Sequence, residues 1–218
     1  MNLDIKLCGL KTPEAIKAAM DLGANYIGFI FYAKSPRNID LQRAAKLRPL
    51  IQKPTQLVAV TVNATQEELD HLVKCVNPDI LQLHGHESAK DIQSMKKRYD
   101  LPVIKAISIY DENDMKTAHS YKGIADILLL DTKAPKNASL PGGNGISFDW
   151  SLMKLLDADI KTMLSGGLNA NNVKQAIHIA RPDGIDISSG IEKTPGVKDI
   201  QLMRNFIETV KSIDFEGD

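Results

Sequence analysis

With two cysteines in 218 residues, Cys8 and Cys75, the sequence has too little sulfur for a disulfide scaffold, and their spacing is not that of a zinc site. It also lacks any apolar run approaching the roughly 18 residues needed to cross a bilayer, and the opening MNLDIKLCGLK carries no long apolar stretch of a secretory signal. Both absences point to a cytoplasmic chain with reduced thiols. Neither sign of charge is in excess: 27 Lys and Arg balance 27 Asp and Glu, which removes the electrostatic case for a nucleic-acid or anionic-membrane partner. Nor is there a low-complexity tract, a like-charge block or a Pro/Gly-rich linker, so residues 1–218 are expected to form a single domain. What is present is ordinary for a globular protein, 43% hydrophobic and 25% charged residues, with enough apolar material for a sizeable core. Nothing in the composition sets an oligomeric state.

One unit recurs along the chain: a short apolar or β-branched run, a polar loop, then a segment of helical period. It begins with residues 5–7 and a helix that Thr12 caps and Pro13 opens. YIGFIF (26–31) follows, with a helix starting near Asp40, and then 57–62, whose helix carries a Thr65/Glu68 capping box and an apolar face of Leu69, Leu72, Val73 and Val76. Cys75 falls in this helix and is expected to pack on its apolar side. Further strands are expected at 80–83, 103–106, 127–130, 162–164 and 185–187. Helical spacing returns at Val173, Ala176, Ile177 and Ala180, and again at Ile200, Met203, Ile207 and Val210. Eight strands alternating with helices imply parallel pairing and closure into an α/β fold, a TIM (β/α)8 barrel, with an open doubly wound sheet as the runner-up.

In such a barrel the chemistry sits at the C-terminal ends of the strands. Cys8, beside Gly9, is placed to face the mouth, where a lowered pKa makes a thiol a base; the competing role is a small buried hydrophobe. Asp131 ends the apolar run 127–130 and reads either as a desolvated acid or as a cap. Arg37, in the loop after the second strand, suits a bidentate pair with a carboxylate or simple solvation. The glycine clusters Ser165-Gly166-Gly167 and Ser188-Ser189-Gly190 follow strands seven and eight, where barrels hold a phosphate on backbone N–H groups. The long loop 132–147, with Gly143 and Gly145, either covers a substrate or is merely flexible. His84 and His86 lack the supporting carboxylates of a metal site, so no metal is expected.

Seven blocks in register, KLCGL (6–10), FYAKSPRNI (31–39), LQLHG (81–85), LLLDT (128–132), PGGNGISFDW (141–150), LSGGLN (164–169) and DISSGIEKTPGVKD (186–199), resemble the phosphoribosylanthranilate isomerases over nearly the whole chain. The resemblance implies a cofactor-free TIM barrel that carries out an Amadori rearrangement in tryptophan biosynthesis on a phosphorylated sugar–anthranilate substrate. It implies Cys8 as general base and Asp131 as general acid. Arg37 would meet the anthranilate carboxylate, Asp186 would contact substrate, and Gly166, Gly167, Ser189 and Gly190 fall in the phosphate loops. The segment around Gly143 and Gly145 would be the mobile loop beside Asp131.

One departure is visible: Ala59 and Thr61 stand where the family commonly has glycine and phenylalanine, so altered packing at strand three and an altered fit around the aromatic ring are expected. Two rival functions also follow from the residues. An aldolase would use Lys105 or Lys6 as a Schiff-base amine, and a sugar-phosphate binding protein would keep the pocket without turnover.

Overall fold

The computed structural model describes residues 3–132 and 147–213. Eight strands, β1 (Asp4–Cys8), β2 (Tyr26–Phe31), β3 (Gln56–Thr61), β4 (Ile80–Leu83), β5 (Val103–Ile109), β6 (Ile127–Thr132), β7 (Thr162–Leu164) and β8 (Gly184–Ile187), form a closed barrel in chain order. All eight neighbouring pairs are parallel, and β1 closes on β8 with Asp4 opposite Gly184 and Leu7 opposite Ile187. Between them run α1 (Pro13–Asp21), α2 (Leu41–Leu47), α3 (Gln66–Val76), α4 (Ala89–Tyr99), α5 (Glu112–His119) and α6 (Val173–Ala180), with α7 (Ile200–Lys211) last. The barrel, rather than the open sheet, is therefore the fold.

The helix starts follow from their caps. Thr12 accepts from the Ala15 N–H, Asp40 from the Arg43 N–H, and Thr65 and Glu68 form the reciprocal box. Cys75 departs from its expected place: it is exposed. α3 buries Leu69, Leu72 and Val76, and a rotation of about 100° per residue turns Cys75 away from Val76 toward solvent. The connection from β6 to β7 also differs, because its described part holds only a 3₁₀ segment, Trp150–Leu155, opened by Asp149.

Two apolar layers result from the two-residue period of the strands. Val58, Val60, Ile80, Ile104, Ala106, Ile127, Leu129 and Met163 fill the barrel interior together with Cys8 and Tyr26. Alternate residues such as Leu7, Ile27, Phe29, Leu128, Leu130 and Ile185 meet the helices through Ile16, Val173, Met203 and Phe206. Ala59 belongs to this outer layer, against Leu69, Leu72 and Ile92. Ala59 and its alternate Thr61 therefore bear on helix packing and not on the fit of a ligand, since the inward neighbours Val60 and Val62 are the ones that line the mouth.

After β8 a short hairpin, β9 (Glu192–Thr194) paired antiparallel with β10 (Val197–Lys198), precedes α7. None of the helices among the described residues is long and apolar enough to cross a membrane.

Candidate active site

The same period that packs the interior carries polar side chains to the mouth. On β6 the inward series Ile127, Leu129 continues to Asp131, and on β1 the series Lys6, Cys8 ends in the thiol. Cys8, Arg37, Asp131, Gly166, Gly167, Asp186 and Ser189 line one cleft at the C-terminal ends of the strands, of about 710 Å³ with the solvent at its opening included. Gly190 lies just behind the lining: a Cβ there would stand 2.0 Å from the Leu168 carbonyl oxygen, so the loops after β7 and β8 touch at this point. Gly143 and Gly145 lie outside the described residues.

Cys8 is 5% exposed, and Gly28 on the neighbouring strand makes room for it, since a Cβ at Gly28 would fall 2.7 Å from Sγ. Its pKa runs opposite to the expectation from sequence. Burial pushes the thiol up; the Lys6 and Lys198 ammonium groups pull it back without overcoming burial, and the Asp186 carboxylate adds to the rise. Lys6, fully buried, donates to Asp186 at 2.8 Å, and Ser165 Oγ reaches the other carboxylate oxygen at 3.5 Å. Burial works against the Lys6 charge, but Asp186 and Cys8 outweigh it and its pKa is raised. A Schiff-base lysine needs the neutral amine, so this lysine is unsuited to that chemistry. Lys105 is unsuited for a different reason. It falls on the outer face of β5 and donates to Glu87 at 2.8 Å and to the Gly85 carbonyl at 2.7 Å, away from the cleft.

Asp131 is 3% exposed, with Oδ1 accepting from the Thr132 N–H at 2.9 Å. Its Oδ2 stands 3.4 Å from His84 Nε2, near enough for an ion pair but not aligned as a hydrogen bond, so that buried nitrogen has no partner among the described residues. Gln82, two residues earlier and on the same inward face, places its Nε2 3.5 Å from His84 Nδ1 and leaves its own Oε1 unpartnered. His84, the polar residue expected just after the fourth strand, lines the cleft, and Gln82 is the cleft residue that the sequence reading missed. Its alternation with the apolar Leu81 and Leu83 was the available signal. His86, by contrast, is exposed and outside the cleft.

Arg37 is held by a stitched loop. Ser35 Oγ accepts the Arg37 N–H at 3.1 Å, Asn38 Oδ1 accepts the Tyr32 N–H at 2.9 Å, and the Ile39 N–H returns to the Ile30 carbonyl. The bidentate carboxylate partner expected for Arg37 exists within the protein: Nε and Nη2 donate to the two oxygens of Glu192 at 2.8 and 2.9 Å. On the opposite rim, Asn172 Nδ2 donates to the Gly167 carbonyl at 2.9 Å. The N–H groups of Gly167, Ser189 and Gly190 have no protein acceptor among the described residues. Unpaired backbone donors of this kind on adjoining loops are available to an anion.

Chemically the cleft offers a thiol and a carboxyl on strands three apart around the ring, an arginine edge, and a cradle of amides. A family model described as N-(5'-phosphoribosyl)anthranilate (PRA) isomerase matches residues 5–209. An N-(5'-phosphoribosyl)anthranilate isomerase of Chelativorans sp. (strain BNC1) is 55% identical over 212 residues, covering 97% of both chains. The phosphoribosyl anthranilate isomerase of Thermotoga maritima superposes with a TM-score of 0.88 at 34% identity, over 97% of this chain and all of that one. A structure of the isomerase in complex with reduced 1-(o-carboxyphenylamino)-1-deoxyribulose 5-phosphate superposes at 0.85 with 32% identity, over 97% of this chain and 100% of the other. On these grounds the chain belongs to the phosphoribosylanthranilate isomerase family.

Proposed function

We propose that this chain converts N-(5-phosphoribosyl)anthranilate to 1-(2-carboxyphenylamino)-1-deoxyribulose 5-phosphate, with Cys8 as general base and Asp131 as general acid. The observation that carries the reading is the meeting of Cys8, Asp131, Arg37 and the two glycine loops in one cleft. The substrate has three features to match. Its phosphate suits the amides of Gly166, Gly167, Ser189 and Gly190, and its carboxylate suits Arg37. Its furanose then lies between acid and base.

Asp131 gives a proton to the ring oxygen as the C1′–O bond breaks, leaving a protonated Schiff base. Cys8, as thiolate, removes the C2′ proton, and the electron pair neutralises the iminium to give an enolamine. Proton return to C1′ and loss of the C2′ hydroxyl proton complete the ketose. Every step is a proton transfer, which a positioned acid and base can accelerate by about 10²–10⁴-fold each. Asp186 is assigned to the same cleft as a substrate contact whose charge is shared with Lys6.

We also infer one catalytic domain over residues 1–218, since the strands from β1 to β8 close a single ring. A reducing, cytoplasmic setting suits a base that must remain a free thiol.

The test is the fluorescence decay of freshly generated phosphoribosylanthranilate with wild type, Cys8→Ser and Asp131→Asn. Rapid decay in wild type, reduced about 10²-fold or more in each folded variant, is the expected result. Ligand binding without turnover in wild type would instead identify a sugar-phosphate binding protein.

A further inference from the structure

We propose that Glu192 and Lys198, on the hairpin after β8, are positioning residues that fix the Arg37 guanidinium in register with the phosphate end of the cleft, and so set selectivity for a substrate that bears a carboxylate. This rests on the isomerase reading above and deepens it.

Three charged side chains are buried together here. Arg37, Glu192 and Lys198 are 7%, 4% and 3% exposed. Glu192 accepts the Arg37 fork on both oxygens, and Oε1 also accepts from Lys198 Nζ at 2.8 Å. Lys198 gives its remaining donors to Ser188, at 2.8 Å to the carbonyl and 3.2 Å to Oγ, and Ser188 Oγ donates to the Cys8 carbonyl at 3.1 Å. One continuous chain of bonds thus runs from the end of the strand that bears the thiol, through the residue next to Ser189, to the guanidinium.

A buried ionic triad is weak ground for stability, since replacing one with apolar side chains of similar volume is often neutral or stabilising, and what distinguishes this one is its place at the edge of the cleft, on Arg37 and beside Ser189. Burial pushes the Glu192 carboxyl up, but the Arg37 hydrogen bond and the charges of Lys198 and Arg37 outweigh it and keep it below its usual value, so the Glu192 carboxylate stays ionised. The hairpin itself is pressed onto the Arg37 loop: a Cβ at Gly196 would stand 2.3 Å from the Pro36 carbonyl oxygen, which also accepts from Lys11 Nζ at 2.9 Å.

The consequence lies at the other edge of the guanidinium. With Nε and Nη2 committed to Glu192, Nη1 has no acceptor among the described residues, and Arg37 lines the cleft. A long arginine side chain presents a fixed edge to an incoming carboxylate only if its opposite edge is anchored. Bulk electrostatics and positioning then predict opposite signs for Glu192→Gln. Removing a negative charge should tighten binding of an anion if charge alone matters, and should weaken it if Glu192 aims Arg37.

The experiment measures kcat and KM for phosphoribosylanthranilate, and calorimetric affinity for two probes: reduced 1-(2-carboxyphenylamino)-1-deoxyribulose 5-phosphate and its phenylamino counterpart without the carboxylate. Loss of a charge-assisted hydrogen bond corresponds to about tenfold or more in affinity, so Glu192→Gln is expected to lose about that much for the carboxylated probe and KM to rise by a similar factor. Affinity for the carboxylate-free probe and kcat should each stay within about threefold. Glu192→Asp should recover part of the loss, and in an Arg37→Ala background Glu192→Gln should have no further effect. If Glu192→Gln does not fold, Lys198→Met carries the same two-probe comparison. Equal loss for both probes, or unchanged or tighter binding of the carboxylated one, overturns the proposal while leaving the isomerase reading intact. A wild type that binds neither probe and turns over nothing overturns both.

Discussion

At Cys8, burial and neighbouring charge act against one another, and the consequence is a pH dependence. The thiol lies above its ordinary value because desolvation outweighs Lys6 and Lys198, with Asp186 acting in the same sense as burial. The thiolate is then a minority species near neutrality, and kcat should climb with pH, by up to about tenfold per unit, until the thiol pKa is passed. The alkylation rate of Cys8 by iodoacetamide should follow the same limb, measured in a Cys75→Ser background because Cys75 is exposed. A flat profile between about pH 7 and 9 would mean a thiol already ionised, against the direction given by burial. Gly28 supplies a second prediction at this scale. Gly28→Ala places a methyl 2.7 Å from Sγ, and a displaced base should cost kcat about 10²-fold, with about 1–3 kcal/mol of stability lost to overpacking. Parallel kinetics and urea unfolding separate the two effects. Single positions were legible in the sequence where an apolar run stopped short at a polar residue, as at Asp131 and Cys8. Their partners were not. Arg37 and Glu192 are 155 residues apart, and Lys6 and Asp186 are 180 apart, separations over which no local pattern operates. The thiol's pKa direction depends on just such distant neighbours.

For elements, the strand–helix alternation and the caps could be read because each is a local signal. Thr12, Asp40 and the Thr65/Glu68 box act within three residues of themselves, and YIGFIF and 80–83 coincide with β2 and β4. The expected strands 103–106 and 127–130 stop short of their observed ends because the ladder between β5 and β6 continues through Ser108 and Asp131 to Ile109 and Thr132. Polar residues inside a pairing register look like loop from sequence alone. The β9–β10 hairpin was not anticipated, being only three and two residues long. The contact between the loops after β7 and β8 also requires three dimensions to see, and it is testable. Gly190→Ala drives a methyl into the Leu168 carbonyl oxygen and must separate the loops. Inhibition by inorganic phosphate should weaken by about tenfold, the effect of losing about 1.4 kcal/mol of binding, with the far-ultraviolet circular dichroism unchanged. Undiminished phosphate inhibition would remove the amides of this loop from the anion cradle.

Over the whole molecule, acid sensitivity should centre on buried carboxylates. Glu87 ties the segments after β3 and β4 to the body of β5: it accepts the Asn63 N–H at 2.9 Å, the Gly85 N–H at 3.0 Å and Lys105 Nζ at 2.8 Å. Burial raises its pKa, but the Lys105 hydrogen bond and charge outweigh burial, and the net value is below the ordinary 4.5. A carboxyl depressed in the folded state contributes stability that is complete above its unfolded pKa and lost as pH falls through the folded one. Glu87→Gln should therefore cost about 3 kcal/mol at neutral pH by stranding Lys105, and should flatten the fall in stability between about pH 5 and 3. Urea titrations at neutral and acid pH check both parts, and an undiminished acid slope would assign the sensitivity to other carboxylates such as Glu192.

Ring closure has a consequence in time. The strand that completes β1 is β8, and Lys6 meets Asp186 across a sequence separation of 180 residues. A ribosome adding roughly 5–20 residues per second takes on the order of 10–40 s to make that span. For at least that interval the nascent chain carries β1 with one row of backbone donors and acceptors unpaired, a template to which a neighbouring chain can add. Once β8 arrives the row is sealed, and among the described residues the open strand edges that remain are those of the short β9–β10 hairpin. The exposure of this protein to strand-mediated aggregation is thus concentrated in its synthesis and refolding, and ends with the last staves of the barrel.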